Sequence, residues 1–206
     1  MNRSRAYHSP VRAEAKEGTR ARIVEAMVGV IVVEGVHAFT VQNVADRAGV
    51  SHRTVYRYYP SRERLLEGLS ESLSQRLIDA GLAPPQEITG WTSYVAPLFE
   101  EFSSLGPALR ASVIAAVALG AQTDSDRDIT SAIFDSLVIR FSYLSEEQLH
   151  EAAGVFRSLV SRFTWYVLSV ELRLETAEAS RGVAWAIGAL LDDLERRNDV
   201  AAATVT

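Results

Sequence analysis

The chain has 206 residues, 48% of them apolar and 23% charged, which is enough for one globular unit or two small ones with a sizeable core. That composition excludes fibrous repeats and wholesale disorder, and the lack of any cysteine excludes disulfides, thiolate metal sites and cysteine nucleophiles. The net charge of −5 argues against a nucleic-acid partner until it is divided by position: residues 1–64 carry 11 basic and 6 acidic groups, or +5, leaving 10 basic and 20 acidic, or −10, for the remainder. A basic head on an acidic body points to a polyanion at one end only. All basic residues but Lys16 are arginine, whose planar fork suits phosphate and guanine. No uninterrupted apolar run approaches the ~20 residues of a membrane helix, and the first residues lack a secretory apolar stretch, so the expected location is the cytoplasm, with no membrane partner.

Apolar residues recur at spacings of three and four along almost the whole chain, so the expected class is all-α, with about nine helices. Residues 1–18 are expected to form a flexible basic arm. A first helix is expected from about Thr19 to Glu34, with Ile23, Met27, Val30 and Ile31 on one face, ending at Gly35. Short helices at 41–48 and 52–58 follow, completing a head domain over 19–65. Residues 66–80 belong to a connecting helix that starts near Arg62 and carries Leu66, Leu69, Leu73 and Leu77. The segment 81–90, GLAPPQEITG, is the clearest loop and the expected start of the body, 81–198, with 199–206 as a tail. Body helices are expected at 91–105, where Pro97 threatens a kink, at 107–120, 126–144, 146–171 and 180–197. The last two are apolar over more than one stripe and so need more than one partner.

Residues 40–66, TVQNVADRAGVSHRTVYRYYPSRERLL, give every position a physical job as a helix-turn-helix. Thr40 is suited to cap the first helix and Ser51 the second, while Gly49 stands where the turn needs a positive φ. Val41, Val44, Ala45 and Ala48 face inward from the first helix, as do Val55 and Tyr59 beyond the turn. The outward face of the second helix is then His52, Arg53, Thr54, Tyr56 and Arg57, a dense set of donors and stacking groups.

This segment resembles the tetracycline-repressor (TetR) family of bacterial regulators. The family pattern appears here as Thr40, Ala45, Ala48, Gly49, Val50, Ser51, Thr54, Val55, Tyr56, Tyr58, Tyr59, Arg62, Leu65 and Leu66, over roughly residues 18–70. Tyr59 stands where Phe is usual and Arg62 where Lys is usual. The resemblance implies that Thr40, Tyr56, Tyr58 and Arg62 hold backbone phosphates, and that Gln42, His52, Arg53 and Thr54 reach base edges or adjacent phosphates, with Ser51 and Arg57 completing the DNA-binding set. It further implies a homodimer pairing its last two helices as a four-helix bundle, a palindromic double-stranded operator with half-sites roughly one helical turn apart, ~34 Å or more, and a small-molecule effector whose binding releases it. No other cofactor is expected.

In the body, Trp91, Phe99, Phe102, Phe134, Phe141, Phe156, Trp165 and Tyr166 fit either a ligand cavity or ordinary core. Arg140 and Arg162 lie on helices with strong apolar stripes, where one of them could present charge to an anionic effector. His8, His37, His52 and His150 are scattered and no metal site is expected; Asp124, Asp126 and Asp128 suit a helix start better than a calcium loop. Neither HExxH, GxxxxGK, GxSxG nor GxGxxG occurs, so no enzymatic activity is expected. The competing expectation is an architectural DNA-binding protein that responds to no ligand.

Overall fold

A computed structural model of the chain describes residues 10–119 and 124–205. Among these, every regular element is a helix: α1 (Pro10–Gly29), α2 (Val41–Ala48), α3 (His52–Tyr58), α4 (Arg62–Asp79), α5 (Trp91–Leu119), α6 (Asp124–Arg140), α7 (Glu146–Leu159), α8 (Arg162–Trp165) and α9 (Thr176–Val205). α1 runs on into a π turn at Val30–Glu34, α8 into another at Tyr166–Glu171, and 3-10 turns stand at Val36–Ala38 and Ile88–Gly90. The chain parts into two compact units inside α4, between Leu69 and Ser70, rather than at the loop 81–90.

The N-terminal unit is built on Ile23, Met27, Val30, Phe39, Val44, Val55 and Leu65, all fully or almost fully buried. Arg47 of α2 crosses α1 at Gly29, where a Cβ would come within 2.2 Å of its Nε, and reaches Glu34 at 3.1 Å. Tyr59, at 2% exposure, lies where α1, α3 and α4 meet. Its ring fills the space left by Gly68, and its hydroxyl accepts from Arg20 Nε at 3.3 Å. A tyrosine is therefore tolerated at this position because α1 supplies a donor for the buried oxygen.

In the second unit α5 packs along α9, and α6 along α7. The span Ile88–Leu119 is long and apolar enough, by length and composition, to cross a membrane, but α5 serves here as a core helix. It is two helices in one: Gly106 takes φ 46° and ψ −116°. A residue before proline is pushed out of the α region, glycine accepts the strained alternative, and Pro107 restarts the helix. Pro97 remains within helical geometry, so the kink falls nine residues later than expected from its position.

Four expected boundaries are corrected. The arm is helical from Pro10, a proline suited to a first helical position, followed by strong helix formers; the remainder of the arm, 1–9, lies outside the described residues. The helix expected over 146–171 breaks at Val160 and Ser161. Ser161 accepts from Thr164 N–H at 3.2 Å, and Thr164 Oγ1 donates to the Ser158 carbonyl at 2.7 Å, so local side-chain bonds replace the helical ones. The helix expected over 180–197 runs through 199–205 as well, where alanines favour continuation. α6 opens at Asp124 and ends at Arg140, so the helix expected at 126–144 starts and stops earlier, with its acidic residues in the first turn.

Two substitutions test the head's packing by chemical denaturation. Gly68→Ala is expected to lower stability by about 1–3 kcal/mol through overpacking against Tyr59, whose ring would stand 2.3 Å from the new Cβ. Gly49→Ala is expected to cost about 1–2 kcal/mol because φ there is 63°.

Candidate nucleic-acid interface and body cavity

The turn between α2 and α3 is closed by backbone bonds and one special conformation. Gly49 adopts φ 63°, ψ 36°; its N–H bonds the Asp46 carbonyl at 3.2 Å, and Val50 N–H bonds the Ala45 carbonyl at 3.1 Å. These are the two bonds of a Schellman cap, which satisfy carbonyls that the end of α2 would otherwise leave open. Ser51 then caps α3, its Oγ accepting from Thr54 N–H at 3.1 Å and lying 2.8 Å from Thr54 Oγ1.

With Val55 at 0% exposure pinned beneath, the opposite side of α3 must face solvent. His52, Arg53, Tyr56 and Arg57 are exposed and Thr54 and Tyr58 half-buried. His52 and Tyr56 form an edge-on pair with centroids 4.6 Å apart, which holds both rings on one ridge. Arg57 lies over the Tyr58 ring at 5.2 Å. Arg53 makes no hydrogen bond or ion pair among the described residues, so its five donors are open to a partner.

The flanking candidates are each tied to the scaffold. Thr40 Oγ1 accepts from Asn43 N–H at 3.1 Å, which leaves the hydroxyl proton to donate outward, and Asn43 Nδ2 donates to the Ala38 carbonyl at 2.8 Å. Gln42 Nε2 donates to Asp46 Oδ1 at 2.8 Å, which leaves its second amide proton and its carbonyl oxygen for a partner. Arg62 stands exposed over the Phe39 ring at 4.7 Å. Hydrogen bonding to Ser61 and to its own backbone holds the Glu63 carboxyl below its ordinary value.

In the second unit a cavity of about 250 Å³ has apolar walls that include Leu73, Leu77, Leu98 and Leu109. Of the aromatic candidates, Trp91 and Phe102 line it. The others pack elsewhere: Phe99, Phe141 and Phe156 are core residues at 0–2% exposure, and Phe134 lies against His150 with centroids 4.1 Å apart. Trp165 donates from Nε1 to Ser103 Oγ at 3.1 Å, and Tyr166 begins a π turn. Arg140 is ion-paired with Glu195, whereas Arg162 lines the cavity. Tyr94 and Arg157, not singled out by sequence, also line it; a tyrosine and an arginine at ordinary helical spacing carry no signal that separates them from surface residues. Tyr94 donates its hydroxyl to the Leu82 carbonyl at 2.8 Å, and burial pushes its pKa up to about 12. Trp185, also not singled out, stands 76% exposed on α9. Its place opposite the stripe Val183, Ile187 and Leu194 was available in the heptad spacing.

Residues 23–69 match the family model for bacterial regulatory proteins of the tetR family. The chain is 34% identical over 65 residues to the nucleoid occlusion factor SlmA of Alteromonas mediterranea, a match spanning 32% of this chain and 33% of that relative. It is 27% identical over 141 residues to SlmA of Vibrio atlanticus, covering 66% of this chain and 71% of the relative. In fold it is similar to a tetR-family transcriptional regulator from Streptomyces coelicolor, with a TM-score of 0.60 at 18% identity over 91% of this chain and 86% of that one. A TetR regulator from Rhodococcus sp. RHA1 superposes with a TM-score of 0.53 at 18% identity, covering 86% and 98%.

Two variants separate the roles of the exposed arginines in gel shifts across a salt series. Arg53→Ala is expected to weaken the preferred site by about 1–3 kcal/mol and relax its sequence preference. Arg62→Ala is expected to weaken all sequences alike and to reduce the slope of log affinity against log salt by about 0.9, one phosphate contact.

Proposed function

We propose that this chain, a member of the TetR family of bacterial regulatory proteins through its N-terminal domain, is a ligand-responsive transcriptional repressor that acts as a homodimer in the cytoplasm. The observation that carries the DNA-binding part is the solvent-facing side of α3, where Arg53, Tyr56 and Arg57 are presented by a turn capped at both ends. Helices of this kind enter the major groove with their first residues toward base edges. Thr40, Tyr58 and Arg62 would fix the register on phosphates.

Dimerisation through α7 and α9 is supported by surface that α9 leaves uncovered. Trp185 is flanked on the same outward side by Gly182 and Gly188, and each glycine has open space where a Cβ would stand. Gly154 and the 53% exposed Val155 present a similar flat apolar patch on α7. An exposed tryptophan amid glycines suits close helix packing, since its ring buries about 150–250 Å² when covered. Two such protomers would carry two α3 helices related by a two-fold axis, hence a palindromic operator.

The cavity supports release by a small apolar or amphipathic effector. α4 contributes Leu65, Leu66 and Leu69 to the head's core and Leu73 and Leu77 to the cavity wall, so one helix is shared by both tasks. A second reading, DNA occlusion without effector release, is favoured by the 141-residue similarity to a nucleoid occlusion factor, which reaches beyond the head.

Footprinting around the protein's own gene, followed by challenge with metabolite extracts, tests the choice: one short protected palindrome that is released supports the repressor, and protection without sequence preference or release supports occlusion. Trp185→Glu is expected to convert the dimer to monomer by light scattering at micromolar concentration, with at least a tenfold loss of operator affinity.

A further inference from the structure

We infer that the polar end of the effector is an oxygen, hydroxyl or carbonyl, gripped by Ser70 and Ser74 of α4, with the hydrocarbon part lying against the walls around Leu98, Phe102 and Leu109. The inference rests on the effector reading above and adds to it the residues that recognise the ligand and the group they recognise.

Five residues of α4 line the cavity: Ser70, Leu73, Ser74, Leu77 and Ile78. Their spacing of three and four makes them one face of the helix, so the two hydroxyls share a stripe with the leucines that wall the cavity. A serine inside a helix often turns its proton back onto the chain. Ser103 donates to the Phe99 carbonyl at 2.9 Å and Ser136 to the Ala132 carbonyl at 2.8 Å. The hydroxyls of Ser70 and Ser74 make no hydrogen bond among the described residues, not even to each other. The other polar side chains of the wall are already engaged or out of reach. The Tyr94 hydroxyl donates to the Leu82 carbonyl, and Arg157 and Arg162 each interact with the protein. Trp91 Nε1 is fully buried, its ring edge-on to those of Tyr94 and Phe156.

Residues four apart on a helix have Cβ atoms roughly 5–6 Å from each other. A hydroxyl hydrogen bond is about 2.8 Å long, so one ligand oxygen can meet both serines at once. A serine hydroxyl both donates and accepts. The pair therefore serves an alcohol, which does the same, and a carbonyl, which accepts from two donors. A bare hydrocarbon in the cavity of about 250 Å³ would take water from both hydroxyls and return no bond.

The test is calorimetric titration of the full chain with 4-phenyl-2-butanol, 4-phenyl-2-butanone and butylbenzene, which share one skeleton and differ only in the oxygen. The alcohol or the ketone is expected to bind at least tenfold tighter than butylbenzene. Ser70→Ala and Ser74→Ala are each expected to weaken the oxygenated ligand by about three- to tenfold, the worth of one neutral hydrogen bond. The double change is expected to bring it to the level of butylbenzene, whose own binding stays the same throughout and reports an intact cavity. Alanine is the better helix former, so α4 is kept. Where an alanine variant still fails to fold, Ser70→Cys and Ser74→Cys keep the shape with a weaker donor and are expected to show the same loss. Butylbenzene binding as tightly as its oxygenated partners, or oxygenated ligands indifferent to the changes at both serines, would overturn the inference and leave the effector reading standing. No binding of any of the three below millimolar concentration would also overturn it, and the metabolite challenge of the operator complex then reports separately whether effector release survives.

Discussion

The presentation of α3 hangs on three consecutive residues. Gly49 turns the chain through a left-handed conformation, Val50 completes the cap of α2, and Ser51 begins α3 with its own side chain as the first acceptor. Because the turn is closed by bonds within itself, the direction of α3 is specified locally, and the buried Val55 anchors it in the core. Tyr59 extends that anchoring to α1 and α4, through the Arg20 donor and the space over Gly68. The exposed side chains of α3 inherit their direction from this short sequence.

The charge distribution follows the same division of labour. The net charge of −5 is the average of a head at +5 and a remainder at −10. The positive balance of residues 1–64 suits a polyanion, since each neutralised phosphate releases a counterion, and the negative balance of the remainder does not. Inside the body the sign reverses again on a smaller scale: Arg157 and Arg162 line a mostly apolar cavity within a unit whose surface is acidic.

The DNA-facing site was largely legible in the sequence because its determinants are local. Caps at Thr40 and Ser51, a glycine at the turn and inward residues at fixed spacing leave one arrangement open, and the boundaries of α2 and α3 agree with those expected. The cavity was less legible. Its aromatics share helical spacing with core aromatics such as Phe99 and Phe156, and nothing in the spacing distinguishes a ring against a void from a ring against another ring. Arg140 and Arg162 read alike in sequence, yet the first is engaged by Glu195 from α9, 55 positions away, and the second lines the cavity.

Alone, the sequence determined the all-helical class, the basic head, the geometry of the helix-turn-helix and the residues it turns outward. Each of these depends on composition or on contacts spanning a few positions. The tertiary structure decided which apolar residues surround empty space, which arginine lines that space, and where a stretch patterned as one 26-residue helix breaks, at Val160 and Ser161. That break is written in ordinary serine and threonine, whose side chains either cap a new helix or ride on an old one. Only the packing around them chooses, and here the choice sets two guanidiniums on one wall.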